Sequence, residues 1–212
     1  MQTQPARRKF LKTGCLTTAA IGITLCAGGT LAATYQPAVD MPSAAYGENI
    51  MTDRILVTYA SKAGSTAEVA ARIGETLAAR GLPVDVLPIG KVKDLAPYRQ
   101  VILGSAVRIS SPLPEAVKFV EANQAALQQK SFSAFLVCMT MKDDNEETRK
   151  TVSAYVEPIR ALVKPASEGL FAGVIDPSKV NLLDKMAIKM IKAPIGDFRQ
   201  WDQITAWAEN LA

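Results

Sequence analysis

The chain has 212 residues, 49 % of them hydrophobic and 21 % charged, which suits one globular domain with a full core once a leader is set aside. It has no histidine, so His general bases, Ser-His-Asp triads and His-ligated metals are excluded. The formal charge of +4 does not point to nucleic acid: Arg7, Arg8, Lys9 and Lys12 precede the first acid, Asp40, and without these four the chain has 20 basic and 20 acidic residues.

The chain opens on Arg7-Arg8-Lys9-Phe10-Leu11-Lys12, followed by an apolar stretch from Thr13 to about Ala33. A twin arginine, then Phe-Leu-Lys, then a weakly hydrophobic run resembles a twin-arginine export signal. The stretch is also long enough to span a bilayer. Residues 1–33 are therefore expected to be a signal or membrane anchor, and the working protein to lie in the periplasm or on the outer face of the cytoplasmic membrane. Residues 34–52 carry Pro, Gly, Ser and Ala without periodicity and read as a linker. Two of the three cysteines, Cys15 and Cys26, fall in the leader; Cys138 alone remains, so residues 53–212 hold no internal disulfide.

The domain begins with an apolar strand, Arg54–Tyr59. Ser61-Lys62-Ala63-Gly64-Ser65-Thr66 follows it and opens a helix over Thr66–Arg80, which Gly81 closes. Strand, short Gly/Ser/Thr loop and helix make an anion cradle: backbone N–H groups and hydroxyls donate, and the helix N-terminus favours negative charge. The loop lacks the G-x-G-x-x-G spacing and the Gly-Lys-Ser/Thr of nucleotide-binding loops. Its hydroxyls match a phosphate monoester such as that of FMN.

Val84–Pro88 is the second strand, Lys91–Pro97 a loop, and Gln100–Ser105 a third strand of the kind buried on both faces. The loop after it, Ser105-Ala106-Val107-Arg108-Ile109-Ser110-Ser111, is expected to line a flavin ring, with Arg108 near the ring's pyrimidine end. A helix over Pro114–Gln124 leads to strand four, Ser131–Cys138. Met139, Thr140 and Met141 then form the third loop of the site, the methionines against the ring and Thr140 at its polar edge. A helix over Asn145–Val163, bent at Pro158, precedes strand five, Leu170–Ile175. An extra helix, Asn181–Lys192, and a last one, Trp201–Leu211, complete the chain.

Strands alternating with helices imply right-handed crossovers and a parallel sheet. The expected fold is α/β, with a flavodoxin-like five-stranded parallel sheet in the order 2-1-3-4-5 and helices on both faces. Ligands in such sheets bind at the carboxyl ends of the strands, at the switch point. The extra helix presents Leu182, Leu183, Met186, Ala187, Met190 and Ile191 on one side and Lys185, Lys189 and Lys192 on another. It reads as a helix on a membrane interface, as the roof of an apolar groove, or as a packed helix with solvated lysines.

The phosphate loop, the segment Val101–Arg108, and the tail Met186-Ala187-Ile188-Lys189-Met190-Ile191 with Gly196-Asp197-Phe198-Arg199-Gln200-Trp201 resemble the flavodoxin-domain proteins that include the menaquinone-dependent protoporphyrinogen dehydrogenases. The resemblance runs from Arg54 to Leu211. It implies noncovalent FMN, with Ser61–Thr66 at the phosphate and the loop around Arg108 at the ring. The expected function is electron transfer outside the cytoplasmic membrane, with a quinone or a redox protein as partner. Two alternatives are a protoporphyrinogen or quinone oxidoreductase at the membrane and a flavin-less binding module. No catalytic side chain, metal site or nucleic-acid partner is expected.

Overall fold

The computed structural model describes residues 39, 41–47, 52–190 and 192–211. The twin-arginine leader and much of the expected linker lie outside the described residues.

Five parallel strands carry the domain: β2 (Arg54–Ala60), β3 (Val84–Pro88), β4 (Tyr98–Arg108), β6 (Ser131–Val137) and β7 (Ser167–Phe171), ordered β3-β2-β4-β6-β7. This is the expected 2-1-3-4-5 order. Part of the expected linker is not linker: Ala44–Tyr46 form β1, antiparallel to β3 at the sheet edge, with Ala44 opposite Val86. Tyr59 donates its hydroxyl proton to the Pro42 carbonyl at 2.6 Å and helps to hold this segment down.

β2 is buried along its whole length, as a central strand covered on both faces must be. On one face Ile55, Val57, Tyr59 and Ile102 pack with helix α1 (Ser65–Ala79) and with Ile204 and Ala208 of helix α7 (Trp201–Glu209). On the other, Leu56, Val101 and Leu103 pack with helices α2 (Pro114–Ala122), α4 (Glu146–Ala154) and α5 (Glu157–Arg160). α1 buries Val69, Ile73 and Leu77 completely, a gain of roughly 1.5–3 kcal/mol each. Gly81, at φ 80°, takes the left-handed position just after it, and its N–H donates to Ala78 O at 2.9 Å.

The expected long helix over Asn145–Val163 is two shorter ones. Asn145 and Thr148 form a capping box at the start of α4. The break precedes Pro158, whose ring is incompatible with a continuing helix but is accepted in the first turn of α5. A one-turn helix α3 (Gln124–Leu127) follows α2.

At the amino end of the sheet, Arg54 is buried and pairs with Asp85 (Nη2–Oδ1 2.6 Å). The Tyr98 hydroxyl donates to Asp85 Oδ2 at 3.0 Å. Burial and that hydrogen bond push the Tyr98 pKa up to about 12.

The third strand is longer than expected. β4 runs on to Arg108 and returns as β5 (Ser111–Pro112), with Val107 opposite Pro112 and Arg108 opposite Ser111. Only Ile109 and Ser110 turn the hairpin, at φ 51° and 56°. Positive φ at both central residues is what a tight hairpin needs, but the residues suited to it are Asn and Gly. Ile109, β-branched, holds this conformation while 93 % exposed. Replacing Ile109 by Asn and Ser110 by Gly together is expected to raise stability by about 1–2 kcal/mol. A urea midpoint that stays put or falls would rule out backbone strain at this turn.

The expected fifth strand divides. β7 ends at Phe171, and β8 (Val174–Ile175) pairs instead with β9 (Gly196–Asp197) as a separate two-stranded sheet. The segment Pro177–Ala193, which includes helix α6 (Leu182–Met190), belongs to a different compact unit from residues 38–176 and 194–212. Among the described residues, no helix is long and apolar enough to cross a membrane.

Candidate functional site

The loop after β2 is closed by its own residues. Gly64 donates its N–H to Ser61 Oγ at 3.0 Å and stands at φ 90°, ψ −22°, a conformation open to glycine and costly for other residues. Gly64 is the N-cap of α1, and among the described residues no side chain caps that end. A helix cannot pair the N–H groups of its first turn internally, so Ser65, Thr66 and Ala67 offer donors there. Glu68, the next residue, donates to Gly64 O at 3.1 Å.

Thr66 is fully buried, and its Oγ1 has no hydrogen-bond partner. A buried hydroxyl without a partner costs about 1–3 kcal/mol. In the first turn of an uncapped helix it fits an anion that supplies the acceptor. Thr58 Oγ1 is also buried and unpartnered, but lies inside β2. Ala63 and Ser65 are half-buried. Lys62 pairs with Glu115 at the start of α2 (Nζ–Oε1 2.6 Å). Burial works to raise the Glu115 pKa, but the hydrogen bonds from Lys62 and the backbone, with the charges of Lys62 and Lys118, together outweigh it and the net shift is downward.

Two further segments, unmarked in the sequence, approach the cradle. A Cβ on Gly64 would lie 2.8 Å from Val39 Cγ1, so the segment before β1 packs against the loop. A Cβ on Gly173, after β7, would lie 3.4 Å from Ser65 Oγ and 2.9 Å from Val137 Cγ1. Glycine is what allows that close approach. Gly173 O also accepts from Phe198 N–H at 3.1 Å, which places Gly196–Arg199 beside the same edge.

The two expected ring loops need correction in part. Ser105 is not a free donor. It is fully buried; its Oγ donates to Ala106 O at 2.8 Å and accepts the Leu113 N–H at 2.9 Å. Its hydroxyl thus ties the hairpin to the start of α2. Ala106 and Val107 are half-buried, and Arg108 is exposed on the hairpin. Met139–Lys142 form one 3-10 turn at the carboxyl end of β6. Met141 does not face outward: it is 1 % exposed and packs in the core with Leu113, Val152 and Ala172. Met139 is half-buried and Thr140 exposed, with Thr140 Oγ1 3.3 Å from Cys138 Sγ.

Arg199 comes from far along the chain. Its Nη1 pairs with Glu68 of α1, and its Nε and Nη2 with Asp197 Oδ1 and Oδ2 at 2.8 and 2.6 Å. Its guanidinium lies 4.4 Å from the centre of the Trp201 ring, and that of Arg72, also on α1, 4.9 Å from it. Burial works to lower the Arg199 pKa, but the Asp197 and Glu68 hydrogen bonds raise it further. Trp201 thus anchors the last helix, and its signal in the sequence was the Arg199-Gln200-Trp201 run.

Among the described residues no group of acids and cysteines is arranged to hold a metal. A hollow of about 500 Å³ lined by Leu127, Lys130, Phe132, Lys164 and Pro165 lies at the amino ends of β6 and β7, the edge opposite the cradle.

The cradle thus stands after the first of five parallel strands, where the strand order reverses. No curated protein matches the sequence. Among solved structures, the chain is similar to two-electron reduced flavodoxin of Megasphaera elsdenii, at 15 % identity over 74 % of this chain and 98 % of that one, TM-score 0.47. It is similar also to a flavodoxin from Archaea, at 19 % identity over 74 % and 98 %, TM-score 0.45. A third is a Fusobacterium nucleatum flavodoxin mutant bound to flavin mononucleotide, at 10 % identity over 76 % and 96 %, TM-score 0.46. Residues 56–200 match the family model of the flavodoxin domain, and the chain belongs to that family.

Proposed function

We propose that this protein binds FMN noncovalently, its phosphate on Ser61–Thr66, and works as an electron-transfer protein outside the cytoplasmic membrane. The observation that carries the reading is the uncapped start of α1 with the buried, unpartnered Thr66 hydroxyl, at the switch point of a flavodoxin-domain sheet. These residues fit the group. The N–H groups of Ser65, Thr66 and Ala67 and the Thr66 hydroxyl would hold the phosphate, and Gly64 lets the backbone come close. The hairpin from Ala106 to Arg108 and the Met139–Thr140 turn would flank the ring. FMN, when bound, supplies one- and two-electron redox chemistry; the chain binds it, orients it and limits access to it.

The test is colour. Protein purified from its producing cells is expected to be yellow and to keep FMN through gel filtration. A colourless preparation that does not quench added FMN fluorescence would leave the flavin-less binding module as the reading.

The export half rests on Arg7 and Arg8. Changing both to Lys is expected to strand the folded protein in the cytoplasm, because the twin-arginine pair is read by its receptor and not by charge alone. Normal export of the double variant would mean another route.

Helix α6 supports a partner at the membrane, a quinone or a redox protein. Leu182, Leu183, Met186 and Met190 are each more than half exposed. At 3.6 residues per turn they fall within an arc of about 100°, bordered on one side by Lys185 and Lys189. An exposed apolar arc edged by lysines suits a surface of anionic lipid. Full-length protein is expected to sediment with anionic vesicles, and Met186→Glu with Met190→Glu to weaken this at least about tenfold. Equal sedimentation of the two would remove α6 from the contact. A second reading, oxidation of protoporphyrinogen with a quinone as acceptor, rests on the tail resemblance. Anaerobic turnover with protoporphyrinogen and a menaquinone analogue tests it; a rate no higher than uncatalysed would dismiss it.

A further inference from the structure

We propose that Arg199 is a positioning residue for the phosphate cradle: it holds and neutralises Glu68, so that the start of α1 can accept a phosphate dianion. The inference rests on the FMN reading.

Glu68 is the fourth residue of α1, bonded through its N–H to Gly64 O, about one turn from the donors at Ser65–Ala67. The helix dipole that favours a phosphate there favours the Glu68 carboxylate too. An uncompensated carboxylate at this place competes with the ligand and repels it.

Arg199 answers that charge from 131 residues away in the chain. It is not a loose surface partner. Its side chain is 8 % exposed; it makes two side-chain bonds to Asp197 besides the one to Glu68, and its own N–H donates to Asp197 Oδ1 at 3.1 Å. Its stacking on Trp201 fixes the plane. The same segment is joined to the cradle's neighbour through the bond from Phe198 N–H to Gly173 O. Without Arg199, Glu68 and Asp197 would each lose an ion pair with its guanidinium.

The experiment titrates apo full-length protein with FMN and with riboflavin, which lacks the phosphate. Arg199→Met is expected to weaken FMN at least about tenfold at low salt and to leave riboflavin unchanged. The FMN loss should shrink in about 1 M salt, where the Debye length is ~3 Å. Arg199→Met combined with Glu68→Gln should recover most of the affinity, and Arg199→Lys should keep it. Glu68→Gln alone, which does not depend on the folding of an Arg199 variant, should raise FMN affinity several-fold. Equal losses of FMN and riboflavin, no recovery in the double variant, or an unchanged Glu68→Gln would overturn the proposal. Wild-type protein that binds no FMN would instead overturn the reading beneath it.

Discussion

Changing Thr66 to Val is expected to move stability and ligand binding in opposite directions. The Thr66 hydroxyl is buried and unpartnered in the apo fold, so replacing it by a methyl of similar shape should raise stability by about 1–2 kcal/mol. The same change removes a donor from the cradle and should cut FMN affinity by a factor of about 10 or more. Urea unfolding of apo protein reads the first effect and fluorescence titration the second. A destabilised Thr66→Val variant would mean that the hydroxyl already has a partner, and the argument for the cradle would fall with it. Gly64→Val is the backbone counterpart. It forces an L side chain to φ 90° and sets a Cβ 2.8 Å from Val39 Cγ1. The strain is on the order of 1–3 kcal/mol, and FMN binding should be lost while the far-UV spectrum of the folded protein persists.

Gly104→Ala is expected to be the more damaging change to the fold, by about 3 kcal/mol. Gly104 lies in β4 between Tyr59 of β2 and Phe135 of β6. A Cβ there would stand 2.1 Å from Phe135 Cζ and 2.6 Å from both Cε atoms. Phe135 cannot swing away: it is 1 % exposed and packed edge-on against Trp207, with Phe171 6.2 Å away. Phe135→Leu costs stability by itself, yet combined with Gly104→Ala it should be less harmful than the two separate losses added. A double-mutant cycle measures that coupling. Additive losses would place the strain elsewhere.

The parallel frame was legible because its signals are local. Apolar runs such as Ile55-Leu56-Val57 and Val101-Ile102-Leu103, punctuated by Gly81 and Pro114, set strands and helices within a few residues of their final bounds. The cradle was legible for the same reason, since strand, loop and helix are contiguous. Other features carried no local signal. β1 is three residues without alternation, and it is a strand because the free edge of β3 offers it hydrogen-bond partners. The Ile109-Ser110 hairpin contradicts turn chemistry, and pairing of β4 with β5 overrides it. Ser105 and Met141 have residue types that suit a ligand; only packing reveals that one is spent on Leu113 and the other on the core.

The sequence by itself determined the alternation of strands and helices and the place of the Ser61–Thr66 loop after the first parallel strand, because each depends on neighbours within one strand-loop-helix unit. Tertiary structure alone decided what surrounds the cradle: Val39 against Gly64, Gly173 beside Ser65, and Arg199 on Glu68. Those contacts join residues up to 131 positions apart, and no periodicity or spacing encodes a pairing that exists only once both faces of the sheet are covered.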